Sequence, residues 1–146
     1  MRTSCRFAMA VHVLAVLAYK DGNRVTSSLL ASSVNTNPVI IRRLLLVLQR
    51  GKLVETRKGV GSGSRLSRAP AQINLAEVFR VVEGEEDFVM PRGKPNQSCP
   101  VGSCIQESIA KVFSSTRTAL ERELAKTNLA DLMNSVRACC PPTTNE

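Results

Sequence analysis

Aromatic and histidine residues are scarce in this sequence of 146 residues. Phe, Tyr and Trp make up 3% of it, Trp is absent, and His12 is the single histidine. His12 falls in a predicted helix, where we expect a half-buried packing residue, and no Ser/His/Asp or Cys/His constellation can be built around it. A catalytic thiol at Cys99 is the one remaining route to an enzyme, and it is the weakest of the functional hypotheses. The sequence therefore predicts no catalytic residues and no enzyme.

Long apolar runs are also missing. No segment approaches the roughly 20 apolar residues that a membrane span needs. The apolar stretch from Ala8 to Ala18 is interrupted by His12, and no small-residue cleavage site of a signal peptide follows it. We therefore expect a cytoplasmic protein without membrane contact, in which one domain is built on an aliphatic core.

Cysteine occurs at five positions, and this odd number argues against a framework of structural disulfides in a cytoplasmic chain. Four residues separate Cys99 from Cys104, whereas zinc knuckles and thioredoxin-type pairs have two. The sequence therefore predicts no metal site of these kinds.

Acidic residues are rare in the first half of the chain. Residues 1–70 contain twelve Lys or Arg and two Asp or Glu, whereas residues 71–146 contain eight and ten. The net charge of +8 is thus concentrated in the first half, as expected of a surface that binds a polyanion. The alternative is a basic surface that is merely solvated.

The pattern of residues 25–54 predicts two helices joined by a tight turn. Thr26 is a suitable N-cap for the first helix and Asn37 for the second, because their side chains can accept hydrogen bonds from free backbone N–H groups. Asn35 and Thr36 form the polar turn between the helices.

The second helix of this pair is amphipathic. Arg42, Arg43 and Arg50 lie off its apolar face. The apolar face consists of Ile40, Ile41, Leu44, Leu45 and Leu48. A short helix, a turn and a longer helix with exposed arginines are typical of helix-turn-helix DNA-binding proteins, although such helix pairs also occur in other proteins.

A β-hairpin is predicted directly after the helix pair. Strands over 53–57 and 65–68 flank the basic, glycine-rich segment 58–64. Such a hairpin is typical of a wing, whose tip lies along phosphates or in the minor groove. The glycines alone are also compatible with a plain loop, but no Gly-Lys-Ser/Thr ends the run, which excludes a phosphate-binding P-loop. We predict a winged helix-turn-helix DNA-binding domain over 1–83.

The second half predicts mostly helix, so the expected fold class is mainly α with a small β-hairpin. An irregular segment at 84–100 follows a core helix at 73–82, and residues 101–136 contain a long amphipathic helix and a closing helix capped by Asn128. The long C-terminal helix indicates dimerisation; the alternative is that it folds back on its own domain. Residues 137–146 are predicted to be a disordered tail.

From residue 1 to about 136 the sequence resembles the Rrf2 family of winged-helix transcriptional regulators, most of all its YwnA-like branch. The order of several short segments carries the resemblance more than any one of them. These segments are Arg6-Phe7-Ala8, Leu30-Ala31, Gly51-Lys52-Leu53-Val54, Arg57-Lys58-Gly59, Val81-Val82-Glu83-Gly84, Cys99-Pro100-Val101-Gly102 and Asn128-Leu129-Ala130-Asp131-Leu132.

The resemblance implies a homodimeric transcription factor, usually a repressor, that binds double-stranded DNA at a palindromic operator. It places residues at three parts of the duplex. The major-groove residues would be Asn35, Thr36, Asn37, Val39, Arg42 and Arg43. Arg57 would lie at the minor groove, and the residues near phosphates would be Thr26, Ser27, Lys58 and Arg65.

The sequence departs from the family at the sensor. Cluster-binding members have three closely spaced cysteines in the loop before the dimerisation helix, whereas this loop contains Cys99 and Cys104 alone. An iron–sulfur cluster normally takes four protein ligands, so a cluster that adds Cys5 is the weaker hypothesis and no cofactor is predicted.

A thiol switch among Cys5, Cys99 and Cys104 is favoured as the sensor, because a partly exposed cysteine at a helix N-terminus has a lowered pKa and a more available thiolate. An unknown small ligand or purely structural cysteines would also fit the sequence. A regulatory adaptor that acts through a protein partner is a further hypothesis, in which the basic half binds DNA only weakly.

Overall fold

The computed structural model describes residues 5–84 and 90–140. Its six α-helices are α1 (Cys5–Tyr19), α2 (Ser27–Val34), α3 (Pro38–Arg50), α4 (Leu75–Glu83), α5 (Ile105–Leu124) and α6 (Leu129–Cys139). Strands β1 (Val54–Arg57) and β2 (Gly63–Leu66) form an antiparallel hairpin, and a single 3-10 turn spans Pro70–Gln72. The predicted fold class, mainly helical with a small hairpin, is confirmed.

Side-chain caps set where the helices begin. Thr26 Oγ1 accepts a hydrogen bond from the backbone N of Leu29 at 3.3 Å. Asn37 Oδ1 accepts one from the backbone N of Val39 at 2.8 Å, and Pro38 occupies the first position of α3, where its missing N–H costs nothing. The caps predicted at the starts of α2 and α3 are therefore confirmed.

Helix α1 lies at the centre of an aliphatic core. Its buried side chains are Ala10, Val13, Leu14, Leu17 and Ala18. Helix α6 returns from the end of the chain to this core, where Leu129 and Met133 are buried. The backbone N of Leu129 donates to the carbonyl oxygen of Ile73 at 2.8 Å, which ties the start of α6 to the segment that precedes α4.

The hairpin is joined to the helix pair through Val25. The backbone N of Val25 donates to the carbonyl oxygen of Ser64 at 2.9 Å, and the N of Ser64 donates to the carbonyl oxygen of Val25 at 2.8 Å. The neighbouring Gly63 has φ of +129°, and a Cβ there would lie 2.8 Å from the Val25 carbonyl oxygen. Glycine is therefore required where the wing meets the helix-turn-helix.

Gly51 was expected to end α3, and the structure gives it a different reason to be glycine. Its φ is −76°, which any residue adopts, whereas the next residue, Lys52, takes the left-handed conformation with φ of 59°. A Cβ at Gly51 would lie 2.5 Å from Val81 Cγ1. The close approach of α4 to the end of α3, and not the turn itself, excludes a side chain here.

Helix α5 has no buried residue. The contacts that tie it to α4 and the residue after α4 include Arg117, whose guanidinium donates to the carbonyl oxygen of Gly84, and Glu121, which accepts from Arg117 within α5 and has Oε2 3.8 Å from Arg80 Nε of α4. The Arg117 guanidinium also lies 6.0 Å from the centre of the Phe79 ring, and Phe79 packs edge-on against Phe7 of α1 at 5.4 Å. A charged and aromatic contact, rather than a shared core, holds α5 against α4.

Four sequence expectations need correction. Ile40 was placed on the buried face of α3 but is 42% exposed, because it projects beyond the edge of the core. His12 is exposed, and its Nε2 lies 3.0 Å from Ser33 Oγ of α2. Helix α5 begins at Ile105, not near 101, since residues 99–104 form a chain of turns.

The fourth correction concerns the C-terminal tail. Helix α6 continues to Cys139, so the predicted disorder from residue 137 is wrong for residues 137–139. Residues 141–146 of that tail lie outside the described residues. No helix in the described parts of the chain is long and apolar enough to cross a membrane.

The contact between Gly63 and Val25 predicts that two glycine-to-alanine variants differ in stability. We expect Gly63→Ala to lower the free energy of unfolding by about 2–4 kcal/mol, because it adds a steric clash to backbone strain. Gly59→Ala is the control: its φ is +84°, but a Cβ there meets nothing within 4 Å, so we expect a loss of about 1 kcal/mol. Urea unfolding measures both, and equal losses would contradict the clash.

Candidate nucleic-acid interface

A cleft of about 490 Å³ separates α3 from the wing. Arg42, Leu46 and Gln49 line it from the α3 side. Arg57 and Lys58 line it from the wing, and the start of α2 closes one end with Thr26 and Ser27. Five of the residues predicted to contact DNA are thus brought together: Thr26, Ser27, Arg42, Arg57 and Lys58.

Positive charge dominates this cleft. Arg42, Arg57 and Lys58 are exposed in or beside it, and none of the described residues that line it is acidic. The first turn of α2, next to the cleft at Thr26 and Ser27, also contains no acidic side chain, so the partial positive charge of its free backbone N–H groups is not neutralised there. The arrangement suits phosphate groups, which bind to cationic side chains and helix N-termini.

The turn between α2 and α3 presents a second group of predicted residues. Asn35 adopts the left-handed conformation, with φ of 60° and ψ of 53°, and its N–H bonds to the carbonyl oxygens of Ala31 and Ser32. Asn37 and Val39 are exposed beyond it, and Thr36 is half-buried. These residues form the exposed tip at the N-terminus of α3, the part of a recognition helix that enters the major groove.

The structure does not bring Arg43 or Arg65 into the cleft. Arg43 lines a separate depression of about 230 Å³ between α1 and α3, together with Arg6 and Ile40. The Nε of Arg65 donates to Glu55 Oε2 at 3.0 Å, so this guanidinium is paired within the hairpin. The resemblance placed both arginines at the DNA by their position in the chain. That position alone does not determine which side of the helix or strand the side chain projects from.

Two relevant residues were missed by the sequence analysis. Gln49 lies in the cleft because it follows Arg42 by seven residues, a spacing that places both on one side of α3 and that could have identified it. Arg24 donates from Nη1 to the carbonyl oxygen of Gly63 at 3.2 Å and to that of Glu55 at 3.4 Å. No sequence signal distinguished Arg24 from other surface arginines.

The segment that leaves the wing is fixed to α4 by an ion pair. Arg68 donates two hydrogen bonds to the Glu77 carboxylate, from Nη2 at 2.6 Å and from Nη1 at 3.2 Å. Hydrogen bonding to Glu77 raises the pKa of Arg68 above its ordinary value, with burial opposing and charge attraction adding to it. The two hydrogen bonds hold the hairpin exit against α4.

The predicted sensor cysteines lie at two places. Cys5 is exposed at the first residue of α1, and Cys104 is exposed at the residue before α5. Cys99 is half-buried in a tight turn, where its N–H bonds to the carbonyl oxygen of Asn96 at 3.2 Å and its carbonyl oxygen accepts from Ser103 N at 2.9 Å.

Together these features define a winged helix-turn-helix DNA-binding protein: a capped helix pair, a hairpin paired to it, and a basic cleft between them. The chain belongs to the Rrf2 family, since the model of that family, described as an iron-dependent transcriptional regulator, matches residues 3–135. The chain is a DNA-binding transcriptional regulator, and its homologues are not enzymes.

Individual relatives agree with this assignment. The chain is 39% identical over 129 residues to YwnA of Bacillus subtilis (strain 168), named as a candidate HTH-type transcriptional regulator, with 88% of this chain and 95% of YwnA covered. It is 27% identical to the HTH-type transcriptional regulator IscR of Cereibacter sphaeroides, with 97% and 91% covered. A crystal structure from Lactobacillus plantarum, described as a candidate transcriptional regulator, is 26% identical with a TM-score of 0.79, covering 91% of this chain and 90% of that one.

The described residues do not fit the iron that the family description implies. Within residues 5–84 and 90–140, no three His, Cys, Asp or Glu side chains form a group that could hold a metal ion. Cys5, Cys99 and Cys104 therefore do not assemble as ligands in a single chain, and the function proposed below does not involve iron.

Proposed function

We propose that the protein is a homodimeric, sequence-specific transcriptional repressor that binds a palindromic operator. The observation that carries this proposal is the basic cleft between α3 and the wing, next to the exposed N-terminus of α3. A recognition helix supplies base contacts, whereas the wing and the start of α2 supply phosphate contacts that fix its register. A repressor acts by occupying its operator, for which this binding surface is sufficient.

Residues of the interface divide into two roles. Asn35, Thr36, Asn37 and Val39 contact base edges from the tip of α3, and Arg42 makes a bidentate contact to guanine. The residues that approach the backbone or minor groove are Thr26, Ser27, Arg57 and Lys58. Arg43 lies on the side of α3 that faces α1, so its contact is to the flank of the groove.

The exposed apolar stripe of α5 supports the homodimer. Val112 is 60% exposed, Ile105 43% and Leu120 39%, although all three are apolar. Burying such a stripe against the same stripe of a second copy removes apolar surface from water, which is the main driving force of association. A dimer also doubles the bases that one small domain can read.

The cysteines before α5 support regulation by thiol oxidation. A peroxide oxidises one thiolate to a sulfenic acid and is itself reduced, and a second thiol then displaces water to form a disulfide. Cys104 is the exposed thiol at the beginning of the proposed dimerisation helix, and Cys99 lies in the adjoining turn. Oxidation there changes the backbone of the turns that lead into α5. Through α5 it changes the spacing of the two DNA-binding domains of the dimer.

Replacing Arg42 tests base-specific binding. We expect Arg42→Ala to weaken binding to an operator, selected from random duplexes, by about 1–3 kcal/mol, and to leave non-specific binding much less affected. Arg50→Ala is the control, because it removes the same charge from an exposed position of α3 outside the cleft. Fluorescence anisotropy measures both. Equal losses on operator and random duplexes would make Arg42 a phosphate contact, and indifference of the wild type to sequence would refute specificity.

A charge placed in the α5 stripe tests the homodimer. We expect Val112→Glu to convert the dimer into a monomer in sedimentation velocity, since dimerisation would bury an unpaired carboxylate. Thr118→Glu is the control, because Thr118 lies on a different side of α5 and is exposed. A wild-type protein that sediments as a monomer would contradict the proposal, as would a dimer that tolerates the glutamate.

Mild oxidation tests the thiol switch. We expect hydrogen peroxide to lower operator affinity severalfold, dithiothreitol to restore it, and Cys104→Ser to abolish the response. Cys139→Ser is the control, since that exposed cysteine lies at the end of α6, away from the loop. An unchanged affinity after peroxide would show the cysteines to be structural, and visible absorbance of the reduced protein would point to a cluster instead.

A further inference from the structure

One face of the wing carries a cluster of three charged residues. Glu55 and Arg65 are paired across the hairpin, and the Arg65 Nε donates to Glu55 Oε2 at 3.0 Å. The Nη2 of Arg24 lies 4.0 Å from the same carboxylate oxygen. A single carboxylate is therefore shared by two guanidinium groups.

This charge cluster lies outside the cleft. Side chains alternate between the two faces of a strand, so Glu55 and Arg65 project to the face opposite Thr56 and Ser64. Thr56 and Ser64 line the cleft, and their hydroxyl oxygens lie 3.0 Å apart. Glu55, Arg65 and Arg24 are not among the residues that line it.

The two arginines of the cluster differ in how firmly they are held. The Arg24 side chain is 23% exposed and also donates to the backbone carbonyl oxygens of Gly63 and Glu55. The Arg65 side chain is 45% exposed, and the Glu55 carboxylate is what holds its guanidinium. If Glu55 lost its charge, Arg24 would stay bound to the backbone, whereas Arg65 could turn towards a phosphate beside the wing.

We propose that Glu55 is a positioning residue that limits sequence-independent DNA binding by holding Arg65 away from the phosphate backbone. Phosphate contacts strengthen binding to every duplex, whatever its sequence, so an additional arginine on the backbone raises non-specific affinity. The Glu55 carboxylate prevents this contact and does not touch the base-reading surface. This proposal rests on the DNA-binding function above and concerns the sequence-independent part of the binding.

The salt dependence of binding to a random-sequence duplex tests the proposal. Glu55→Gln keeps the size of the side chain and removes its charge. We expect this variant to bind random DNA more tightly, and the slope of log K against log salt to steepen by about 0.9, the value for one added phosphate contact. Operator affinity gains by the same factor at most, so the selectivity does not improve.

Two further variants separate Arg65 from the simple loss of a negative charge. Arg65→Gln alone should leave the wild-type slope unchanged, because Arg65 does not contact phosphate in the wild type. The double variant Glu55→Gln/Arg65→Gln should return to the wild-type slope. Thermal unfolding checks that each variant is folded, and Glu55→Thr, which suits a strand, replaces the glutamine variant if that one unfolds.

Three outcomes would overturn the proposal while the wild type still binds DNA. A shallower slope for Arg65→Gln would show that Arg65 already contacts a phosphate. A steeper slope that persists in the double variant would assign the effect to the field of Glu55 alone. An unchanged slope for Glu55→Gln would show that Arg65 stays in place without the charge. A wild type that binds no duplex would instead refute the proposed function, and this proposal with it.

Discussion

The paired backbone hydrogen bonds between Val25 and Ser64 fix the relation of the wing to the helix-turn-helix. They lie directly beside Thr26, the cap of α2, and beside Gly63, where no side chain fits. The wing and the start of α2 both line the cleft, and this bridge joins their backbones. Arg24 adds bonds from its guanidinium to the same hairpin, so the wing depends on a residue that precedes the reader helices.

The aliphatic core transmits this constraint to the rest of the domain. Leu14 and Leu17 of α1 are almost fully buried in the same core as Leu30 of α2 and Ile41 of α3. Since branched and unbranched aliphatic side chains pack at crystal-like density, no bulky aromatic is needed to fix the angle between the reader helices. The closing helix joins this core through Leu129, and the end of the chain therefore helps to position residues near its beginning.

Sequence reasoning succeeded where one residue determines local backbone geometry. The caps at Thr26 and Asn37 and the turn at Asn35 follow from side-chain chemistry that acts over two or three residues. It could not supply orientation that depends on tertiary contacts. The Arg65 side chain, which the resemblance places near phosphate, is paired with Glu55, which is ten residues away in sequence and adjacent only in the folded hairpin. Ile40 satisfied the helical spacing of the core face, yet the core ends before it, and no periodicity indicates where a core ends.

Helix α5 differs in kind from the reader domain that it follows. Among the contacts that position it, Arg117 donates to the carbonyl oxygen of Gly84 and lies over the Phe79 ring, which packs on Phe7 of α1, and Glu121 pairs with Arg80 of α4. Such contacts are partly exposed and individually weak, so the angle of α5 is easier to change than the packing of the core. In the proposed dimer, a chemical change in the turns that precede α5 would alter the angle between the two domains and leave each reading surface intact. Regulation of that kind changes the spacing of the two DNA-binding domains. Binding to a palindromic operator depends on this spacing, because the half-sites are a fixed number of base pairs apart.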